Sequence, residues 1–253
     1  MYSELSKELK FSLESVAIFF TDEKPANAQQ FEEGKRGCVA SMLAASASQG
    51  KIFVFDEKTY GCPGGGVGLC FGNAFAEKNH PTEYLLSTGG KMLANLQGAN
   101  IPKGLERGER YFASPELALK WKEAMPYAKT SKQYVVFKPL SKVDESYPPD
   151  LICIFANPDQ ISALITMVGF YNGLGLNVIA PFGAACQSIL FAYQEIGKEN
   201  PRSILGFFDI AQRHRVPKDI LTLTVTYDVF RDIEKSIPES CLSTHSWKQI
   251  KDR

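Results

Sequence analysis

Histidine is nearly absent from this chain, with only His80, His214 and His245 among 253 residues. A site built from several imidazoles is therefore nearly excluded, and sulfur becomes the natural donor for any metal. Charge of one sign is not in excess either. Lys plus Arg and Asp plus Glu both number 28, so no global field would draw in nucleic acid or an anionic membrane. No apolar run approaches the ~18 residues needed to cross a bilayer. The opening MYSELSKELKFSLES is amphipathic and charged, unlike a basic segment leading into an apolar signal core. Closely spaced Cys-x(2–4)-Cys pairs, which mark structural zinc, are missing. These absences lead us to expect a soluble, cytoplasmic protein without nucleic-acid or membrane partners.

The chain is long enough to bury a substantial core without a disulfide or metal staple. SVAIFFT (15–21), KIFVFDE (51–57), KQYVVFKPL (132–140) and LICIF (151–155) are short runs rich in branched and aromatic residues, and read as strands. Later strands are expected in LNVIAPFG, SILGFFD and ILTLTVTYDVF. GCVASMLAASASQG (37–50) reads as a closely packed helix ended by Gly50. Two further helices announce their starts, with Ser114 and Asn157 as caps followed by Pro115 and Pro158 at the first helical position. Loops are expected at STGG, LQGANIPKG and ERGERYF. Strands alternating with helices predict an α/β fold, a mixed sheet flanked by helices, over one domain spanning 1–253. The stretches 15–72 and 151–209 echo one another as strand, helix and strand leading to a cysteine, as two similar halves from a duplication would.

One stretch stands apart. YGCPGGGVGLCFG (60–72) holds six glycines and two cysteines, and glycine adds no apolar area while costing entropy to order. It serves either a tight backbone path or something bound against that path. A dinucleotide fingerprint fails, because Phe71 breaks the third glycine position and no clear acidic partner follows ~20 residues on. STGGKML fails as a phosphate loop, since the leading glycine is missing and Met92 stands where a hydroxyl must meet magnesium. The thiols are left.

Six cysteines occur, at 38, 62, 70, 153, 186 and 241. Cys62 lies between Gly61 and Pro63, followed by glycines whose N–H groups can turn toward a sulfur or an anion. Gly64 and Gly65 are expected to pass close to a bound group, in positive-φ conformations that a β-carbon would strain. Cys70 follows Cys62 by eight positions and comes within reach if the glycine stretch folds back as a loop. Cys186 is expected in the first turn of a helix, where the helix dipole favours a thiolate. Cys38 opens the small-residue helix beside Lys35 and Arg36, which favour a thiolate. Cys153 inside a strand and Cys241 in a polar segment read as packing or surface residues.

GCVASMLAASASQGKIFVFDEKTYGCPGGGVGLCFG, LICIFANPDQ and PFGAACQSI together resemble the family called domain of unknown function 169, also labelled uncharacterised ArCR, found in archaea and anaerobic bacteria. The resemblance runs from about residue 15 to residue 225. It rests on Cys38 opening the first helix, on Cys62 with Gly64 and Gly65, and on Gly183, Ala185 and Cys186 in a glycine-alanine-cysteine turn. It implies no reaction, but it does imply that Cys38, Cys62 and Cys186 form one set, expected to meet in a shared pocket. Three scattered thiols in a group common among anaerobes point to an iron–sulfur cluster, of the 4Fe-4S kind, more than to zinc. Cys70 is the candidate fourth ligand, with Gly64, Gly65 and Gly183 lining the cofactor. An iron without a cysteine would hold substrate, and a redox partner is the other expected contact. Two other classes stay open: Cys186 or Cys62 as a nucleophile with glycine amides as oxyanion donors, or an anion cleft for a small metabolite without catalysis.

Overall fold

The computed structural model describes residues 1, 3–77, 81–90 and 105–251. LQGANIPKG, His80 and the Lys91 and Met92 of STGGKML lie outside the described residues. Two compact units form, one from Met1–Gly72 with Ala128–Arg253 and the other from Asn73–Tyr127. In chain order the strands are β1 (Val16–Thr21), β2 (Phe53–Phe55), β3 (Tyr134–Pro139), β4 (Leu151–Ala156), β5 (Val178–Ile179), β6 (Ser203–Gly206) and β7 (Leu221–Thr226). The α-helices are α1 (Glu4–Leu9), α2 (Val39–Gln49), α3 (Pro63–Gly68), α4 (Ala74–Glu77) and α5 (Thr82–Leu85). They continue as α6 (Pro115–Glu123), α7 (Pro158–Val168), α8 (Gln187–Tyr193), α9 (Tyr227–Ser236) and α10 (His245–Lys248).

The first unit is built on a seven-stranded sheet ordered β2-β3-β1-β4-β7-β6-β5. Every neighbouring pair is antiparallel except β5 with β6, so the sheet is mixed and the fold is α/β. The centre is β1 against β4, two strands buried along their whole length, with Val16 opposite Cys153. Both lie between layers of helix, which is why their sequences run apolar without alternation.

Strand alternation sends successive side chains to opposite faces. Ala17, Phe19, Ile152, Ile154, Leu223 and Val225 share one cluster with the apolar sides of α7 and α9. Val16, Ile18, Phe20, Phe137, Leu151 and Phe155 are buried on the opposite side, where α2 and α8 pack. There the Phe20 ring lies 4.5 Å from Tyr193. The α7 start is as read from the sequence: Asn157 accepts from the Gln160 N–H at 2.9 Å, and the Gln160 side chain accepts from the Asn157 N–H at 2.8 Å. The apolar run ILTLTVTYDVF divides at Thr226, whose hydroxyl accepts from the Val229 N–H at 3.4 Å. Beyond it Val229, Phe230 and Ile233 recur at helical spacing and build α9 rather than more strand.

The echo between 15–72 and 151–209 does not become a repeat. After β4 comes α7, which joins the cluster on one face. After β1 comes α2, whose buried Val39, Leu43 and Ala47 stand outside that cluster. Among the described residues no helix is long and apolar enough to cross a membrane. The second unit has its own small apolar centre, where Trp121 of α6 lies 5.8 Å from the Phe112 ring and 6.5 Å from Phe75. Ser114 caps α6 as expected, and Lys122 pairs with Glu83 at 2.8 Å.

A buried carboxylate ties the end of α8 to the start of β6. The Glu195 side chain is only 2% exposed. It accepts from the Arg202 guanidinium at 2.7 Å, the Arg202 N–H at 3.0 Å and Lys198 at 3.0 Å. Burial pushes its carboxyl up, but these donors outweigh that and hold it below its ordinary value. A depressed carboxyl contributes stability that is present above its unfolded value and lost as pH falls through the folded one. We expect Glu195→Gln to cost about 1–2 kcal/mol at neutral pH, because both cations stay half exposed and can rehydrate. In denaturant titrations the gap from the parent protein should narrow below the ordinary carboxyl value of 4.5. A pH-independent gap would show that packing, not charge, sets the loss.

Candidate functional site

The glycine-rich stretch is not a loop. Pro63–Gly68 forms α3, with Cys62 as its cap in extended conformation and Pro63 in the first turn. The Cys62 sulfur accepts from the Gly65 N–H at 3.3 Å, satisfying one of the donors that a helix start leaves open. Four glycines weaken a helix intrinsically, at roughly 1 kcal/mol each relative to alanine, so packing must justify them. A β-carbon on Gly65 would stand 2.6 Å from the Tyr60 carbonyl oxygen and 2.7 Å from Val39 Cγ2. One on Gly68 would stand 2.6 Å from the carbonyl oxygen of Cys186. Bare backbone lets α3 lie directly against the starts of α2 and α8.

This corrects the expectation for Gly64 and Gly65. Neither has a positive φ; that conformation falls instead at Gly61 (75°) and Gly72 (79°), on either side of the helix. Their reasons also differ. Gly65 has no room for a side chain, whereas a β-carbon on Gly64 would meet nothing within 4 Å. Gly183 is a third case: its β-carbon would meet the Gln187 Oε1 at 2.6 Å, the oxygen that accepts from the Ala184 N–H at 2.8 Å.

Cys38, Cys62 and Cys186 are each the N-cap of a helix, of α2, α3 and α8 in turn. Two of these caps are joined through the backbone, since the Gly37 N–H donates to the Gly61 carbonyl at 3.1 Å. The half-buried Cys38 donates its thiol to Gln212 Oε1 at 3.1 Å. The buried Cys186 donates to the Gly64 carbonyl at 3.5 Å. Burial pushes the Cys62 thiol up, Cys38 adds to that, and the N–H groups of Gly65 and Gly64 with Arg36 oppose it. Burial likewise pushes Cys186 well above the ordinary thiol value, followed by Cys62, Cys38 and Asp209. Cys62 therefore lies in the field of Cys38, and Cys186 in the field of both.

Cys70 stands outside that group. It is fully buried with a positive φ of 61°, and its thiol is pushed up by burial alone, with no other thiol contributing. Cys153 is buried inside β4, its thiol raised by burial to about 12. Cys241 is half-buried and donates to the Ala163 carbonyl at 3.8 Å.

Sequence reasoning missed Gln212 and Asp209, on and beside the 3-10 turn Ile210–Arg215. Gln212 Oε1 accepts from both Cys38 and the Arg215 Nε, the latter at 2.6 Å. Asp209 is buried, and its carboxylate accepts from the N–H of Ala185 at 3.3 Å and of Ala211 at 3.1 Å. No local pattern marks either residue. The repeated Gly-Cys step at 37–38 and 61–62 is a signal that was there to be read. Among the described residues, no group of three or more His, Cys, Asp or Glu side chains is drawn together as a single metal ion would need.

The chain belongs to the DUF169 family, described as uncharacterised ArCR, whose model matches residues 4–236 of the 253. No curated protein matches the chain, and no solved structure does.

The contrast between the two glycines is directly testable. Gly65→Ala should lose about 1–3 kcal/mol, the usual range for forcing atoms into a packed site. Gly64→Ala, on an open helical position, should keep or gain up to ~1 kcal/mol. Chemical denaturation of both variants measures this; equal losses would contradict the packing assigned to α3.

Proposed function

We propose that Cys38, Cys62 and Cys186 hold an iron–sulfur cluster, and that the site performs redox or Lewis-acid chemistry on a small-molecule substrate or with a redox partner. One observation carries this reading: three soft donors cap three different helices, with Cys38 acting on the Cys62 thiol and both acting on that of Cys186. A single ion gathers its thiolates at ~2.3 Å from one centre, whereas a cluster spreads its cysteines over several irons, which suits donors carried by separate elements. A bound cluster supplies electron transfer, or Lewis acidity at an iron that no cysteine holds.

The chain's own groups have matching roles. The Gly65 N–H on the Cys62 sulfur and the positive Arg36 favour negative charge there. The Gly64 carbonyl receives the Cys186 thiol at 3.5 Å and ties α8 to α3. A cysteine-nucleophile reading has less support, because burial raises Cys62 and Cys186. The acceptors of the Cys38 and Cys186 thiols are an amide and a backbone carbonyl, neither of which serves as a base. A reducing cytoplasm fits the free state of all six cysteines.

Anaerobic purification with iron and acid-labile sulfide analysis tests the reading. Iron and sulfide should co-purify, fall sharply in Cys62→Ser and Cys186→Ser, and persist in Cys153→Ser and Cys241→Ser. Protein that stays metal-free after anaerobic reconstitution, or loses iron through Cys153→Ser, would overturn it.

A further inference from the structure

The two Gly-Cys steps carry a second consequence that needs no metal. The Gly37 N–H donates to the Gly61 carbonyl at 3.1 Å. A β-carbon on Gly61 would lie 2.8 Å from both the carbonyl carbon and oxygen of Gly37. The Phe31 ring closes over both, since a β-carbon on Gly37 would meet it at 2.4 Å and one on Gly61 at 2.8 Å. Each glycine of this backbone contact is followed directly by a cysteine, and Cys38 adds to the upward push on the Cys62 thiol. A disulfide spans ~4.4–6.8 Å between Cα atoms, a reach that two residues bonded to touching glycines can meet. We propose that Cys38 and Cys62 are a reversible modification site, a dithiol that a small-molecule disulfide of the glutathione class oxidises to an intramolecular disulfide.

The chemistry closes with two electrons and two protons. The sulfur of the half-buried Cys38 attacks the small disulfide, forms a mixed disulfide and releases one thiol. The Cys62 sulfur, held by the Gly65 N–H at 3.3 Å, then attacks the Cys38 sulfur. The Cys38–Cys62 bond forms, the mixed disulfide breaks, and the second small thiol leaves. The two cysteine protons end on the two released thiols, and the small disulfide takes both electrons. Cys186 is the bystander: it arrives on α8, outside the Gly37–Gly61 pairing, and its thiol is engaged by the Gly64 carbonyl. Closing the bond ties the start of α2 to the start of α3 and occupies two of the three sulfurs assigned to the cluster.

The test uses the full chain, reduced and freed of metal, equilibrated with mixtures of reduced and oxidised glutathione and then quenched and digested without reductant. Mass spectrometry should find one linkage, Cys38 to Cys62, reversed by dithiothreitol and retained in Cys186→Ser. Cys62→Ser should instead keep glutathione on Cys38. A linkage through Cys186, or stable glutathione on Cys38 of the unaltered chain, would overturn the proposal. The unaltered chain decides the matter even if a variant folds poorly. Because no iron is present, this result and the cluster assay can fail independently.

Discussion

Contact between bare backbones organises the molecule. At Gly61, Gly65 and Gly68 a β-carbon would fall 2.8, 2.6 and 2.6 Å from backbone atoms of Gly37, Tyr60 and Cys186 respectively. Contacts that short do not survive an ordinary side chain. Their effect is to bring the starts of α2, α3 and α8 together, and each start is a cysteine. Gly65 and Gly68 of α3 thus let these helix starts approach, with local propensity overridden by tertiary contact.

The electrostatics follow from the same packing. Burial raises Cys62 and Cys186, and without compensation the site would hold neutral thiols. The Gly65 N–H on Cys62, with Arg36 nearby, offers the opposing stabilisation. A positive metal centre would supply the rest, since ligation deprotonates a thiol. For Cys62, oxidation with Cys38 is the other way to remove the proton. Under the two proposals, cluster loading and disulfide closure would compete for the sulfurs of Cys38 and Cys62, with the redox state of the surroundings choosing between them.

Much of this was legible in advance and some was not, for physical reasons. The runs VAIFFT and LICIFA could only be fully buried strands, and they are the central pair of the sheet. Asn157 and Pro158 announced a helix through local capping chemistry, and that chemistry is present. Cys38, Cys62 and Cys186 stood out by their neighbours. The helical state of PGGGVG was hidden because glycine's own preference argues against it, and its packing partners Val39 and Cys186 are remote in sequence. Gln212 and Asp209 were hidden for a similar reason, as only the return of the chain after β6 brings them to the thiols.

If three thiols from three helix starts act as one site, a bound cluster shields all of them at once. Cysteine-by-cysteine alkylation measures this most directly, with modification rates compared by mass spectrometry between metal-free protein and protein reconstituted anaerobically with iron and sulfide. Cys38, Cys62 and Cys186 should lose reactivity together on loading while Cys241 keeps its rate. Protection of one of the three alone, or of Cys241 instead, would contradict it.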